Sequence, residues 1–321
     1  MINFSKCITN KEIYGSFYEE AVHIDVAFGV DHWFVPPMGI MMSSLLDNNR
    51  HFNVTFHVFL SSIDDEDKIK LKRLTDEYDN VVIKLYMISV DIYDEIRSPV
   101  QFLLTTATLH RFVAMSCLYP EVEKVLYVDA DACCVGTLDE LFSMPMDDYV
   151  LAAVKDGDDI VKSCKERLGM DVDSSYYNAG VLWVNLRKWN ENNLSNKCME
   201  LLMKRDDLQY LDQDAINMVV GNCVKSIPDR YNYFGSLPKL SKDTIIIHYR
   251  AGKPWHPWFC GALKHIWEKY KNKSIWSDWY FVPRNYREER LMAKQRMKEG
   301  KIVSAIRWYI KYICSKLENN K

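Results

Sequence analysis

The feature that most narrows the possible folds of this 321-residue chain is a regular alternation of β-rich apolar runs with helical spacings. Residues 23–29 (HIDVAFG) read as a short buried strand, closed by a turn at 29–31 and followed by apolar positions at helical spacing from Met38 to Leu46. Residues 52–62 (FNVTFHVFLSS) have the composition of a second strand, and Ser62, Asp64 and Asp65 stand where they could cap a helix carrying Ile69, Leu71 and Leu74. Residues 81–88 predict a third strand. Strand, helix, strand, helix, strand is the order of a parallel sheet with crossover helices, so a doubly wound α/β fold is expected.

The alternation continues past the first hundred residues. A helix is expected over 105–118, stopped at Pro120, and KVLYV at 124–128 is an unbroken apolar run suited to a central strand. Later strands are expected at 149–154, 181–186 and 244–247, with helices at 194–203 and 215–220. Between Trp255 and Trp279 Pro, Trp and Lys crowd together and the alternation stops, which divides the chain into a body, 1–265, and a small C-terminal extension, 266–321. In the extension 284–317 reads as helix, with Ile302, Ile306, Tyr309, Ile310 and Ile313 on one face and Lys301, Arg307 and Lys311 beside it.

Charge separates the same two parts. Residues 284–321 hold eleven Lys and Arg against four Glu, a net of +7, which leaves −10 for residues 1–283 within the chain total of −3. A basic tail on an acidic body suits an anionic membrane surface; the plainer reading is a helix packed on the body. Nucleic acid is not the expected partner, because the body is acidic and the tail's aromatics lie on or beside its apolar face. Nine Cys, with Cys133 and Cys134 adjacent rather than at C-x-x-C spacing, point to reduced, mostly buried thiols. No window approaches the roughly 18 uncharged apolar residues of a membrane span, and the N-terminus has no apolar leader segment, so a cytoplasmic location is expected.

The chemistry concentrates at strand ends. Asp129-Ala130-Asp131 follows KVLYV directly, and carboxylates two residues apart in extended chain point to the same side, towards the open carboxyl end of the sheet. Two hard oxygen ligands there suit Mn²⁺ or Mg²⁺; the alternative is an acidic turn without metal. His248 ends another strand and is followed by Gly252-Lys253-Pro254-Trp255, where a lysine could neutralise phosphate charge, although a strand-end histidine is more often structural. Asn178-Ala179-Gly180 precedes the strand at 181 and reads as a ligand approach or a plain turn. Asp212-Gln213-Asp214 precedes the helix at 215, where Asp212 or Asp214 could be an N-cap, a role that leaves Gln213 unaccounted for. Asp31, after the first strand, could accept a hydrogen bond from a nucleoside or serve as an ordinary turn residue.

Taken in order, FGVD (28–31), TLHR (108–111), KVLYVDAD (124–131), YNAGVLWVNLRKW (177–189), YLDQDAIN (210–217) and HYRAGKPWH (248–256) resemble the landmarks of glycosyltransferase family 8. With LLDNNRH near the start and a separate basic C-terminal segment, the chain is similar to the bacterial lipopolysaccharide core hexosyltransferases of that family. The resemblance implies a GT-A fold, a Rossmann-like nucleotide-sugar-binding α/β domain with a small helical basic extension. It further implies a UDP-glucose or UDP-galactose donor, Mn²⁺ or Mg²⁺ as cofactor, and retention of anomeric configuration.

Carried over by position, Asp129 and Asp131 with the intervening Ala130 are the metal-binding segment and His248 the third protein ligand. Gly29, Val30 and Asp31 match the nucleoside-binding segment, and Thr108 and Arg111 match donor contacts. Asn178, Ala179, Gly180 and Asp212 would hold the hexose, Gln213 would lie near the anomeric carbon, and Lys253 would meet the diphosphate. The chain departs from the family at His32 and Trp33, where Asp and Asn are frequent, and in HYRAGKPW, one residue shorter than usual. The implied acceptor is a lipid-linked core oligosaccharide at the inner face of the bacterial inner membrane, reached through the basic C-terminal helix. A nucleotidyltransferase would want a Gly-rich basic loop after the first strand, which FGVDHWFVPP does not supply. A non-catalytic sugar-nucleotide-binding protein is the other alternative.

Overall fold

Nine consecutive buried positions, Phe52 to Leu60, make a strand that only a sheet covered on both faces can accommodate. The computed structural model describes residues 2–17, 21–96, 106–171, 173–234, 240–250 and 252–318. The strands in chain order are β1 (Ile8–Tyr14), β2 (Val22–Val30), β3 (Phe52–Leu60), β4 (Val81–Ile88), β5 (Lys124–Val128), β6 (Ala132–Cys134), β7 (Leu151–Lys155), β8 (Tyr177–Asn185), β9 (Val224–Ser226) and β10 (Ile246–His248). The helices are α1 (Val35–Asn48), α2 (Asp65–Glu77), α3 (His110–Cys117), α4 (Asp139–Phe142), α5 (Asp158–Leu168), α6 (Leu186–Glu191), α7 (Leu194–Lys204), α8 (Leu211–Val220), α9 (Lys264–Lys273), α10 (Tyr286–Lys298) and α11 (Ile302–Glu318).

Among the described residues the main sheet has eight strands in the order β1-β4-β3-β2-β5-β8-β7-β9, and β6 pairs with β10 in a separate ribbon. β2 runs parallel to β3 on one side and to β5 on the other. That is the switch point of a doubly wound sheet, where the carboxyl ends of two adjacent strands diverge and leave a crevice. The sheet is not parallel throughout, because β8 is antiparallel to both β5 and β7. This pairing lays the start of β8 alongside the carboxyl end of β5.

Local chemistry sets the helix ends. Pro36 and Pro37 open α1, where missing N–H groups cost nothing, and α2 carries Asp65, Glu66 and Asp67 in its first turn, where acidic groups suit the helix dipole. α2 buries Leu71 and Leu74 as expected, but Ile69 is 61% exposed. Residues 69 and 71 lie about 200° apart on a helix, so they cannot share one buried stripe. The helix expected over 105–118 is a 3₁₀ turn (Thr106–Leu109) followed by α3; Thr105 lies outside the described residues. All nine cysteines are free thiols, five of them buried. No helix among the described residues is long and apolar enough to cross a membrane.

The chain divides into two compact units. The first runs to Phe234 and resumes over Ser241–His248, and the second takes up at Tyr249. In the second unit the helix expected over 284–317 is a hairpin of α10 and α11, because Gly300 adopts a left-handed φ of +73°. The Lys301 N–H then reaches back 2.9 Å to the Arg296 carbonyl, the closing bond of a Schellman cap. α11 buries Ala305 and half-buries Trp308, Tyr309 and Tyr312, while Ile302, Ile306, Ile310, Ile313 and Leu317 stay more than half exposed.

Candidate active site

Each candidate residue of the first unit is delivered by the end of an element. Val128 of β5 pairs with Val181 of β8, and the next step of the same ladder joins the Asp129 N–H to the Gly180 carbonyl at 2.8 Å. After Asp131 the chain enters β6, whose Ala132 pairs with His248 of β10. The two pairings bring one acid and one imidazole side chain to the same point from residues over a hundred apart. His248 Nε2 lies 3.4 Å from Asp131 Oδ1 and 3.9 Å from Asp129 Oδ2. Asp129, Asp131 and His248 form a three-residue cluster whose ligand atoms lie within 4.8 Å of one another.

The hydrogen-bond network determines which face of the imidazole carries the lone pair. The Gly180 N–H donates to Asn178 Oδ1 at 3.0 Å, so the Asn178 amide NH₂ must point the other way, to Asp156 Oδ2 and Gln213 Oε1, both at 3.1 Å. Asn232 Nδ2 also donates to Asn178 Oδ1, at 2.8 Å, which leaves Asn232 Oδ1 facing His248 Nδ1 at 3.0 Å. The Nδ1–H of a neutral ring therefore donates to Asn232, and Nε2 presents a lone pair to the two carboxylates. Three acceptors facing one another repel unless a cation lies among them, and a ligand histidine oriented by a partner on its other nitrogen is the usual arrangement at metal sites. The donor set fits a divalent ion.

Arg111 ties this cluster to its neighbours. The guanidinium is buried, with Nη2 on Asp129 Oδ1 at 2.9 Å, Nη1 on the Ala179 carbonyl at 2.6 Å and on Asp212 Oδ2 at 3.1 Å, and Nε on the Thr108 carbonyl at 2.8 Å. Its face lies 4.4 Å over the Tyr127 ring. Burial opposes the Arg111 charge, but Asp212 and Asp129 outweigh it and hold the group above its ordinary range. Burial pushes the Asp212 carboxyl up to about 6, despite Arg111, because one guanidinium serves two acids. Asp129, Asp131 and Asp212 against Arg111 leave a formal excess of two negative charges.

Asn178, Ala179 and Gly180 are not a turn before the strand but lie inside β8, which begins at Tyr177. Antiparallel pairing with β7, in which Lys155 faces Tyr177, extends the strand by four residues ahead of the stretch 181–185 that pairs with β5. A Cβ on Gly180 would stand 2.2 Å from His248 Cε1 and 3.0 Å from Asp129 Oδ2, so only glycine leaves room for the cluster. Asp212 and Gln213 likewise fall in the first turn of α8, which starts at Leu211. Gln213 Oε1 accepts from the Ala179 N–H at 3.0 Å, and its Nε2 donates to Asp156 Oδ2 at 3.1 Å and to Tyr176 Oη at 3.2 Å. Asp214 is buried and accepts from the Tyr210 N–H at 2.9 Å, which makes it the residue that steadies the helix start.

The remaining candidates sit differently. Gly29 and Val30 end β2, and a Cβ on Gly29 would come within 2.9 Å of Tyr127 Oη and His110 Cβ. Asp31 accepts from the Trp33 N–H at 3.0 Å and so caps the short 3₁₀ turn His32–Phe34. Lys253 belongs to the second unit, and Ala251 of its motif lies outside the described residues.

Against known families, residues 25–259 match the model for glycosyl transferase family 8, and residues 262–316 match the model for the C-terminal part of the same family. The chain belongs to glycosyl transferase family 8. This family 8 chain is 27% identical over 317 residues to a lipopolysaccharide 1,3-galactosyltransferase of Salmonella typhimurium, covering 94% of this chain and 93% of the relative. It is 29% identical over 276 residues to a lipopolysaccharide 1,2-glucosyltransferase of Escherichia coli, covering 80% of each. Among solved structures it superimposes on the galactosyltransferase LgtC in complex with donor and acceptor sugar analogues with a TM-score of 0.67 at 21% identity, covering 82% of this chain and 99% of that one. GlyE of Streptococcus pneumoniae gives 0.59 at 22% identity, over 80% of this chain and 63% of that one. The fold is therefore the GT-A type expected.

Sequence motifs pointed to the acids, the histidine and the amide of this family 8 site, but not to Asn232 or Tyr176. Asn232 sits in RYNYFG, outside every recognised motif, and nothing in its neighbourhood distinguishes it from a turn residue. Only the tertiary hydrogen bond to His248 reveals it.

Proposed function

We propose that this chain transfers glucose or galactose from the UDP-hexose, with retention, to a lipid-linked lipopolysaccharide core oligosaccharide, forming an α-glycosidic bond. The observation that carries the reading is the convergence of Asp129, Asp131 and His248 at the carboxyl end of β5, beside the buried Arg111 and the fixed amide of Gln213. The names of the relatives support the substrate class. Asp129, Asp131 and His248 would hold the cation, Mn²⁺ ahead of Mg²⁺ because one ligand is an imidazole, and when bound it supplies positive charge to the diphosphate of the leaving UDP. Lys253 is retained as a second diphosphate partner on the strength of its Lys-Pro-Trp motif. A preorganised charge of this kind is worth about 3 kcal/mol in a dry site. Gly29, Val30 and Asp31 take the nucleoside.

The residues around Gln213 favour departure and attack on one face over a covalent intermediate. Both the oxygen and the nitrogen of the Gln213 amide are engaged by protein partners, so it offers a fixed dipole to the anomeric centre rather than a nucleophile. Asp156 is similarly occupied: Oδ2 accepts from Asn178 and Gln213, and Oδ1 from the Gly157 N–H at 2.7 Å. Asp212 is buried against Arg111. As the C1–O bond to UDP breaks, its electron pair goes to the phosphate. The acceptor oxygen then bonds to C1 from the same face and passes its proton to that phosphate oxygen.

The exposed apolar face of α11, with Lys301, Arg307, Lys311 and Lys316 interspersed, supports peripheral attachment to an anionic inner-membrane surface from the cytoplasmic side. The catalytic reading is tested by UDP release from UDP-glucose and UDP-galactose, with and without Mn²⁺ or Mg²⁺ and with truncated lipopolysaccharide as acceptor. Metal-dependent release from one donor, lost in Asp131→Asn, is the expected result. Release from neither donor would overturn it.

A further inference from the structure

The second unit contains an open pocket of about 510 Å³, lined by Pro254 and Trp255 of the HYRAGKPWH segment and otherwise by residues outside every motif. One side is aromatic: the rings of Trp255, Trp267 and Trp279 lie 5.8–6.3 Å apart in tilted and edge-on arrangements, and Tyr280, 75% exposed, stands on the lining. Trp267 is buried, and among the described residues its indole N–H has no acceptor. The other side is charged, with Lys264 and Lys271 against the single lining acid Glu268, and Arg296, which is paired with Glu299 at 2.7 Å. The Lys264–Glu268 pair is loose, at 3.8 Å, so its ammonium is available to a better partner.

Small-molecule sites combine apolar and aromatic walls with a few placed polar groups, and this lining does so with an excess of positive charge, Lys264 and Lys271 against Glu268. A hydrophobic chain would leave two lysines facing an apolar surface, and a bare inorganic anion would make no use of the rings. The ligand that uses both is a sugar ring lying on Trp or Tyr and bearing a phosphate or carboxylate for the lysines. We infer that this pocket binds an anionic saccharide unit of the acceptor, on lining residues none of which is a proposed donor contact. The inference rests on the glycosyltransferase reading and deepens it. It makes the second unit a reader of acceptor charge as well as a membrane attachment.

The test uses the full chain with glucose 6-phosphate, glucose and inorganic phosphate as probes, followed by tryptophan fluorescence, and compares the parent with Tyr280→Ala and Lys264→Gln. Both side chains reach the surface, so neither change should disturb folding, which circular dichroism checks. Glucose 6-phosphate is expected to bind at least tenfold more tightly than either glucose or phosphate, and each substitution to weaken it at least threefold. In transfer assays both variants should raise the KM for a phosphorylated acceptor with kcat and the KM for donor unchanged. Equal binding of glucose and glucose 6-phosphate, no binding of any probe, or binding indifferent to both substitutions would overturn the subsite. UDP release without acceptor reports on the catalytic reading by itself. Its absence alongside intact sugar phosphate binding would remove the transferase while leaving the pocket.

Discussion

At the scale of single residues the site depends on what is kept out as much as on what is brought in. Gly180→Ala would drive a methyl group into His248 and Asp129, and the expected result is a loss of at least a hundredfold in activity and in Mn²⁺ affinity, read by titration calorimetry. Asn232→Ala tests the tautomer argument: without the Nδ1 partner, metal affinity should fall 10- to 100-fold while the secondary structure is retained. Asp212 supplies a pH signature. Its folded-state pKa lies above that of an unfolded aspartate, so the group favours folding below about 4, and that contribution is lost as pH rises through about 6. Urea unfolding of the parent and Asp212→Asn at pH 4 and pH 7 should show the parent's stability relative to the variant declining across that interval. Asp129 and His248 were legible because one directly follows and the other ends a recognisable strand, and Asp131 because it stands two residues after Asp129. Asn232 was not, because a hydrogen-bond partner carries no local pattern.

The elements show why boundaries moved while identities held. β8 starts at Tyr177 rather than at 181 because β7, whose Lys155 pairs with Tyr177, and the Asp129 N–H, which donates to the Gly180 carbonyl, hold residues with no strand signal of their own in the ladder. That shift changes Asn178, Ala179 and Gly180 from a turn into ladder residues with fixed directions. The C-terminal helix splits at Gly300, whose left-handed conformation a residue with a Cβ adopts reluctantly. Gly300→Ala should lower stability by about 1 kcal/mol in chemical unfolding, through the hairpin of α10 and α11. An unchanged midpoint would mean that the turn is not a constraint. Spacing placed Ile302, Ile306, Ile310 and Ile313 of α11 on one face; that this face is left uncovered, and that Tyr309, expected on it, is half-buried instead, only packing against α10 could decide.

At the scale of the whole molecule, the proposed metal and membrane contacts provide independent tests. Mn²⁺ at a hundred times its dissociation constant should stabilise the folded chain by about 2.7 kcal/mol, and Asp131→Asn should abolish the gain in thermal unfolding. Removal of residues after 284 should reduce flotation with anionic vesicles more than it reduces turnover on a soluble acceptor. Equal losses would assign the hairpin a purely structural role.

Sequence alone determined the doubly wound class, the family and the residue types at the strand ends, since these follow from periodicity and from motifs read along the chain. Tertiary structure decided how they act together. The pairing of β10 with β6 sets His248 beside Asp131, the antiparallel β8 delivers Gly180 to a space no Cβ could occupy, and Arg111 is divided between Asp129 and Asp212. Each of these joins residues distant along the chain, and such contacts exist only once the sheet has formed.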